Sequence, residues 1–425
     1  MFYLIILLVM SVFMGTELLA IPTPAIQMSV YRITLITCWM VSLYKIYRND
    51  YRMLIRHDQS TTYILAIFIF WWLWTLISGI WALDFINWFR ATFLISLGVS
   101  SILMIYFWIT TMHQWQRLVQ VAWLAMTGLV FWGYYELVTN NYYFADLAKV
   151  DKHNTFASQP MTRIPVTVFE NQNDFATMLL AYLIICVILI YLSNGYKRKF
   201  MYILSIVLAS YLVFRSESRM ILIGYFISAI ILIVLNYRLD IKRPLLFNIF
   251  SIGSLTAIFL ISIVPPLRNK LATMFYIGHG QALDGDTVRV NLWRNGLGFL
   301  GTTFGLGVGA GNIEVWMAHF RVLPTKIITN MHNWWLEILV AYGIPVFIMY
   351  VLMYGYLIYY LYYLRKFLDQ RYVKVNNSLL AFLCVYIFAS ITSANNILIE
   401  WHWVFFGLII CYIKLVENEL KRGIA

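Results

Sequence analysis

The residues best suited to chemistry are one histidine and a set of arginines in this chain. His332 stands beside Asn333, and an imidazole, with an unperturbed pKa near neutrality, suits a general base. Guanidinium groups bind phosphate oxygens through paired N–H donors, so clustered arginines favour a ligand that carries a diphosphate. The candidate arginines lie in two stretches of sequence, Arg215 with Arg219 and Arg289 with Arg294.

A glycine-rich run lies between those arginines and the histidine, Gly305-Leu-Gly307-Val-Gly309-Ala-Gly311. It neither follows a strand nor opens a βαβ unit, so it does not predict a dinucleotide site. Alternate glycines let a loop turn tightly and bring backbone N–H groups close to a phosphate or a sugar. We therefore expect this run to support the loop or the glycan, together with Trp293, Gly307 and Asn333.

Three further groups have more than one interpretation. Asn171 and Asn173 precede an apolar run, where they could cap a helix or contact the glycan, whereas Asp174 is predicted to cap. Arg215 and Arg219 could bind an anionic ligand. Alternatively, Glu217 between them pairs with one arginine, and the other reaches the membrane interface. The pair Trp334-Trp335 is predicted to anchor the chain at a membrane interface, although an aromatic face can also stack on a sugar.

The elements that position these residues are membrane helices. The 425-residue chain is 62% hydrophobic and 12% charged, which excludes a water-soluble globular protein. Apolar runs of about 20 residues can each cross a bilayer as helix. We predict an all-α polytopic membrane protein that forms a single bundle with about twelve transmembrane helices, near 2–21, 28–47, 62–80, 92–110, 118–138, 175–192, 200–214, 220–236, 246–264, 334–363, 377–394 and 401–416.

The distribution of basic residues predicts the orientation of that bundle. Short connections such as Lys197-Arg198-Lys199 and Arg365-Lys366 are basic and are expected in the cytoplasm, with both termini. The long segments 139–174 and 265–332 then lie outside the cytoplasmic membrane. The second is the predicted large catalytic loop containing short helices, because lipid cannot satisfy the backbone of a polar segment.

Composition also excludes several partners. The four cysteines lie in apolar runs without metal-ligand spacing, and no histidine or carboxylate grouping suggests zinc, so we predict no metal and no cofactor. The net charge of +12 is spread over many short loops, which argues against nucleic acid.

Four pieces of sequence resemble the O-antigen ligase and polymerase superfamily of bacterial membrane glycosyltransferases, most closely its teichuronic-acid and exopolysaccharide polymerase members. They are Phe169-x-Asn171-x-Asn173-x-Phe175, Ser218-Arg219, Arg289-x-x-x-Trp293 followed by Gly305-x-Gly307, and His332-Asn333 followed after nine residues by Gly343.

The resemblance implies a metal-independent transferase whose donor is a glycan on undecaprenyl diphosphate. Arg219 and Arg289 would hold the diphosphate, and His332 would activate the acceptor hydroxyl. Another lipid-linked repeat unit as the acceptor glycan makes the protein a polymerase, which we favour, whereas a different anchor makes it a ligase. The sequence leaves open whether a chain-length regulator takes part. A transporter or flippase is disfavoured, because the charges collect at the loops and the two halves do not match.

Overall fold

The computed structural model describes residues 1–15, 18, 20–21, 27–49, 60–145, 163–169, 171–236, 285–391 and 399–423. These residues form helices and connecting segments. The α-helices are α1 (Phe2–Ser11), α2 (Val30–Tyr47), α3 (Thr61–Ile77), α4 (Phe85–Trp108), α5 (Met112–Thr139), α6 (Gln172–Leu192), α7 (Tyr196–Arg215), α8 (Arg219–Asn236), α9 (Gly285–Thr302), α10 (Ile313–Phe320), α11 (Trp334–Leu364), α12 (Gln370–Ala389) and α13 (Glu400–Lys421).

The all-helical prediction is confirmed for the described part of the chain. Seven of its helices are long and apolar enough to cross a membrane. The predicted span 246–264 lies outside the described residues, so the total of about twelve stays a prediction. The prediction of a span over 2–21 is wrong in extent, because the helix and a 3₁₀ turn end at Met14 and Gly15 follows with a φ of 76°.

Two helices form the centre of the bundle. Almost every residue of α6 from Asp174 to Leu189 and of α13 from Glu400 to Glu417 is buried, on all sides of the helix. A helix that is apolar all round packs inside a bundle rather than on its surface. The α3, α4 and α5 helices pack on α13, and α7, α8 and α12 pack around α6.

One end of the bundle carries the candidate residues, and we call it the loop end. Contacts between the connections define it. Nη1 of Arg163 donates to the carbonyl of Leu137 at 3.0 Å, and Nη2 of Arg215 donates to the carbonyl of Arg163 at 3.0 Å. The N–H of Trp334 donates to the carbonyl of Ser390 at 3.2 Å. Hence α5, α7 and α12 end where α6, α8 and α11 begin.

The long α11 is two helices joined at a break. The sequence predicts one span over 334–363, but Gly343 has φ 82° and ψ 179°, which is not helical. Pro345 has no N–H for the carbonyl of Ala341, four residues earlier. The N–H of Ile344, which would serve the carbonyl of Val340, donates instead to Gly305 at 2.8 Å. Residues 334–342 are thus a separate half-helix at the loop end.

Alanine at Gly343 is expected to destabilise the protein strongly. An added Cβ would lie 2.4 Å from the carbonyl oxygen of Gly305, at a positive φ that disfavours any side chain. Strain and overpacking together cost on the order of 3 kcal/mol. Thermal unfolding in detergent should show Gly343→Ala melting well below wild type, whereas Gly355→Ala, in open space on the same helix, should not. Equal melting of the two variants would contradict the break.

Candidate active site

His332 lies just before the half-helix, at the loop end of the bundle. It is half-buried, and its φ of 45° is uncommon for a residue with a side chain. Asn333 caps the helix, because its Oδ1 accepts the N–H groups of Trp335 at 3.1 Å and Leu336 at 3.3 Å. The Asn333 side chain therefore has a structural role, in keeping with loop support, the first of the two roles predicted for it. Strained backbone of this kind is often found at functional sites.

The two tryptophans fasten the half-helix to its neighbours. Trp334 is 1% exposed, and its Nε1 donates to the hydroxyl of Tyr350 at 2.9 Å. Nε1 of Trp335 donates to the carbonyl of Ile387 on α12 at 3.0 Å. The prediction that Trp334 anchors the chain at a membrane interface is wrong, since its ring is enclosed by protein.

The α9 helix brings Arg289 to the same place. Nε1 of Trp293 donates to the carbonyl of Met331 at 3.1 Å, one residue before His332. A Cβ on Gly296 would lie 2.7 Å from the Met331 side chain, so this face of α9 packs closely on residues 331–333, here called the histidine segment. Arg289 is four residues before Trp293, on the same face and one turn away, and is half-buried.

Arg294 occupies a different face of α9. It is exposed, and five residues of helix rotate it by about 140° from Arg289. The predicted pair Arg289 and Arg294 is therefore on one helix but does not share one face.

Two asparagines that the sequence analysis missed hold the chain that leads to His332. Oδ1 of Asn295 accepts the N–H groups of Val322 at 3.0 Å and Leu323 at 2.9 Å, and its Nδ2 donates to the carbonyl of Leu323. Nδ2 of Asn291 donates to the carbonyl of Pro324 at 2.9 Å. Both side chains are buried, and their spacing of four residues on a helix was the available signal.

The glycine run Gly305–Gly311, here called the glycine segment, is part of the protein core. The N–H of Val308 donates to the carbonyl of Val340 at 2.8 Å, and that of Gly309 to the carbonyl of Ala341 at 3.0 Å. The N–H groups of Val308 and Gly309 are thus paired with the carbonyls released at the helix break, and the approach of other N–H groups of the segment to a phosphate or sugar stays a prediction. Gly307 supports the loop: a Cβ there would lie 2.5 Å from the nitrogen of Gly343.

Arg219 begins α8 at the loop end. Its side chain is exposed and Ser218 is buried beside it. The helix runs along α12, where a Cβ on Gly224 would lie 3.1 Å from Val385. The N–H of Trp334 donates to Ser390, the residue that follows α12. Arg219 and the histidine segment therefore both lie near the end of α12.

Arg215 bonds to a different part of the loop end. It ends α7, and the carbonyl of Arg163 that it contacts belongs to the connection above α5. Glu217 between the two arginines is exposed and has a φ of 59°. The bonding of Arg215 to a main-chain carbonyl gives it a role in holding this connection.

A buried carboxylate fixes the described part of the same connection. Glu136 accepts the N–H groups of Val166 at 2.8 Å and Thr167 at 2.9 Å. The hydroxyl of Tyr142 donates to the carbonyl of Ile164 at 2.9 Å. Burial, reinforced by the Glu136 carboxylate, raises the pKa of Tyr142 to about 12, so this phenol stays a donor at neutral pH.

Asn171 and Asn173 have different environments. Oδ1 of Asn171 accepts the N–H groups of Asn173 at 2.9 Å and Asp174 at 3.0 Å, and its Nδ2 donates to the Asp174 carboxylate at 2.7 Å. The cap of α6 is therefore Asn171, with Asp174 bonded to it, which corrects the prediction that Asp174 caps. The half-buried side chain of Asn173 makes no hydrogen bond to a described residue.

The candidate groups for chemistry at this end are the arginines and the imidazole of His332. In the described ranges, no three histidine, cysteine or carboxylate side chains converge as metal ligands. The contacts join His332, Trp293 and the face of Arg289 into one body, with Arg219 on the adjoining helix end. Such a site can bind an anion and accept a proton.

Comparison with known proteins gives a family match and a similar protein. Residues 204–351, from α7 through the histidine segment, match the O-antigen ligase family model. The chain is therefore a helical protein with seven described helices that could span a membrane, and its residues 204–351 are similar to the O-antigen ligase family. The chain is also similar to the teichuronic acid biosynthesis protein TuaE of Bacillus subtilis (strain 168), with 27% identity over 426 residues that cover 98% of this chain and 84% of that protein. The resemblance predicted from sequence is confirmed.

Proposed function

We propose that this protein is a polysaccharide polymerase that transfers a glycan from undecaprenyl diphosphate to a hydroxyl of another lipid-linked repeat unit. The family match and the teichuronic acid relative support a polymerase or ligase. The reaction takes place at the extracytoplasmic face of the cytoplasmic membrane, with both termini in the cytoplasm. The distribution of Lys and Arg over short and long connections supports this orientation.

The observation that carries the proposal is the hydrogen bond from Trp293 to the carbonyl of Met331. It joins the helix that bears Arg289 to the residue next to His332. This contact between the helix of the proposed diphosphate-binding arginine and the segment of the proposed base supports a transfer between two bound substrates.

In the proposed reaction, the acceptor oxygen forms a bond to the anomeric carbon while the bond from that carbon to the phosphate oxygen breaks. The electron pair leaves with the diphosphate, and His332 takes the hydroxyl proton. Arg219 and Arg289 bind the diphosphate, and Arg215 and Arg294 complete the predicted cationic set. Guanidinium groups fixed in a water-poor site stabilise the developing charge without reorganisation.

Transfer is expected to be independent of divalent cations, because the arginines carry the charge that a metal ion usually neutralises. Purified protein with a lipid-linked repeat unit should therefore form polymer at an undiminished rate after treatment with EDTA. Loss of activity that Mg²⁺ restores would replace this mechanism with a metal-assisted one.

The function itself is tested by incubating the purified protein with lipid-linked repeat units, with and without a candidate anchor. A polymerase lengthens the glycan on the lipid when no anchor is present, and addition of a chain-length regulator would alter only the length distribution. A ligase forms product only when the anchor is supplied. If intact lipid-linked glycan instead crosses the membrane of vesicles that contain the protein, and no new glycosidic bond forms, the protein is a flippase or transporter.

A further inference from the structure

The connection between α3 and α4, residues 78–84, makes a polar contact with the loop that carries the site. Asn312 is fully buried, and its Oδ1 accepts the N–H of Asp84 at 2.7 Å. Nδ2 of the same side chain donates to the carbonyls of Ala310 at 2.9 Å and Asp84 at 3.3 Å. One side chain therefore bonds to both segments, and this connection lies outside the range matched by the family model.

Two more hydrogen bonds extend the contact along the glycine segment. Nε1 of Trp81 donates to the carbonyl of Gly307 at 3.0 Å, and the N–H of Ala310 donates to Oγ of Ser78 at 3.2 Å. At Gly311, a Cβ would lie 2.4 Å from the carbonyl oxygen of Asn87, so the two backbones are in close contact. The glycine segment is thus held on one side by residues 78–84.

Its other side is bonded to the half-helix that begins after His332. Val308 and Gly309 donate to the carbonyls of Val340 and Ala341, and α9, with Arg289, ends immediately before the segment. A displacement of the glycine segment would therefore move the proposed base and the proposed diphosphate-binding arginine together.

We infer that the α3–α4 connection is the support on which the site is assembled, and that Asn312 and Trp81 are positioning residues for His332 and Arg289. Neither residue belongs to the proposed set that contacts substrate. The kinetic part of this inference rests on the proposed function, whereas the structural part does not.

The kinetic test compares Asn312→Ala and Trp81→Phe with His319→Ala, an exposed residue on α10. Displacement of a reacting group by about 1 Å can lower a rate about 100-fold. We expect kcat to fall about 100-fold in Asn312→Ala and about 10-fold in Trp81→Phe, with a change in the donor KM of less than about threefold. His319→Ala should stay within about twofold of wild type. Trp81→Phe keeps an aromatic side chain but replaces the indole by a smaller phenyl ring and removes the N–H donor, and it decides the question if Asn312→Ala fails to fold.

Hydrogen exchange supplies a readout that requires no substrate. In peptides that cover residues 303–312, both positioning variants should exchange faster than His319→Ala, because the pairing of Val308 and Gly309 loosens. Unchanged exchange and unchanged kcat in folded Trp81→Phe would overturn the inference. If the wild-type protein transfers glycan from no lipid diphosphate, the proposed function fails, and the exchange data alone decide whether the support exists.

Discussion

Replacement of His332 by alanine is expected to lower glycan transfer by about 10³-fold while the protein remains inserted in the membrane. Without the imidazole, the acceptor hydroxyl keeps its proton during attack on the anomeric carbon. The half-helix should stay folded, because Asn333 caps it and hydrogen bonds from Trp334 and Trp335 hold it in position. Measurement of polymer formed from a lipid-linked repeat unit checks the expectation.

Alanine alone leaves a second explanation, since the positive φ of His332 disfavours most side chains. Asparagine is the matched variant, because it tolerates this backbone conformation but cannot act as a base at neutral pH. His332→Asn should therefore keep wild-type thermal stability and lose as much activity as His332→Ala. Polymer of normal amount and length from His332→Asn would eliminate the proposed base.

Substitution of lysine for Arg289 is expected to lower the rate about 100-fold, although the charge is retained. An ammonium group is a point charge and lacks the two parallel N–H donors that a guanidinium offers to phosphate oxygens. The affected step is departure of the diphosphate, which depends on fixed positive charge. Steady-state kinetics with purified protein and a lipid-diphosphate donor provide the measurement.

Arg294→Lys is the internal comparison for that result. Arg294 lies on the same helix, but it is exposed and points away from the face that contacts Met331. Its substitution should therefore cost less than that of Arg289. A larger effect at Arg294 would mean that the diphosphate approaches α9 from its exposed side.

Hydropathy predicted the helices well because each apolar run must satisfy its backbone internally within lipid. The run 334–363 appears in the structure as Trp334–Leu364, and 220–236 as Arg219–Asn236. It could not predict the break at Gly343, because glycine and proline also occur in unbroken membrane helices. The break depends on a partner segment, Gly305–Gly309, and that pairing is a long-range contact.

The candidate residues were found by type and placement, whereas their contacts required coordinates. The sequence predicted a large outer loop with short helices. Helices α9 and α10 lie in the described part of 265–332, and its place outside the membrane stays a prediction. It placed Arg289 and His332 in one site, and the bond from Trp293 supports their proximity. It misjudged Trp334, because hydropathy does not distinguish a side chain that faces lipid from one that faces protein. Asn291 and Asn295 were missed, since they bind backbone that is remote in sequence.

The interrupted α11 also constrains the order of assembly during synthesis. The carbonyls of Val340 and Ala341 receive their hydrogen bonds from Val308 and Gly309, which leave the ribosome first. Hydrocarbon supplies no donor, and an unsatisfied group there costs several kcal/mol. The donor segment is therefore synthesised before the acceptors, so these carbonyls can be paired as soon as the half-helix packs on the glycine segment.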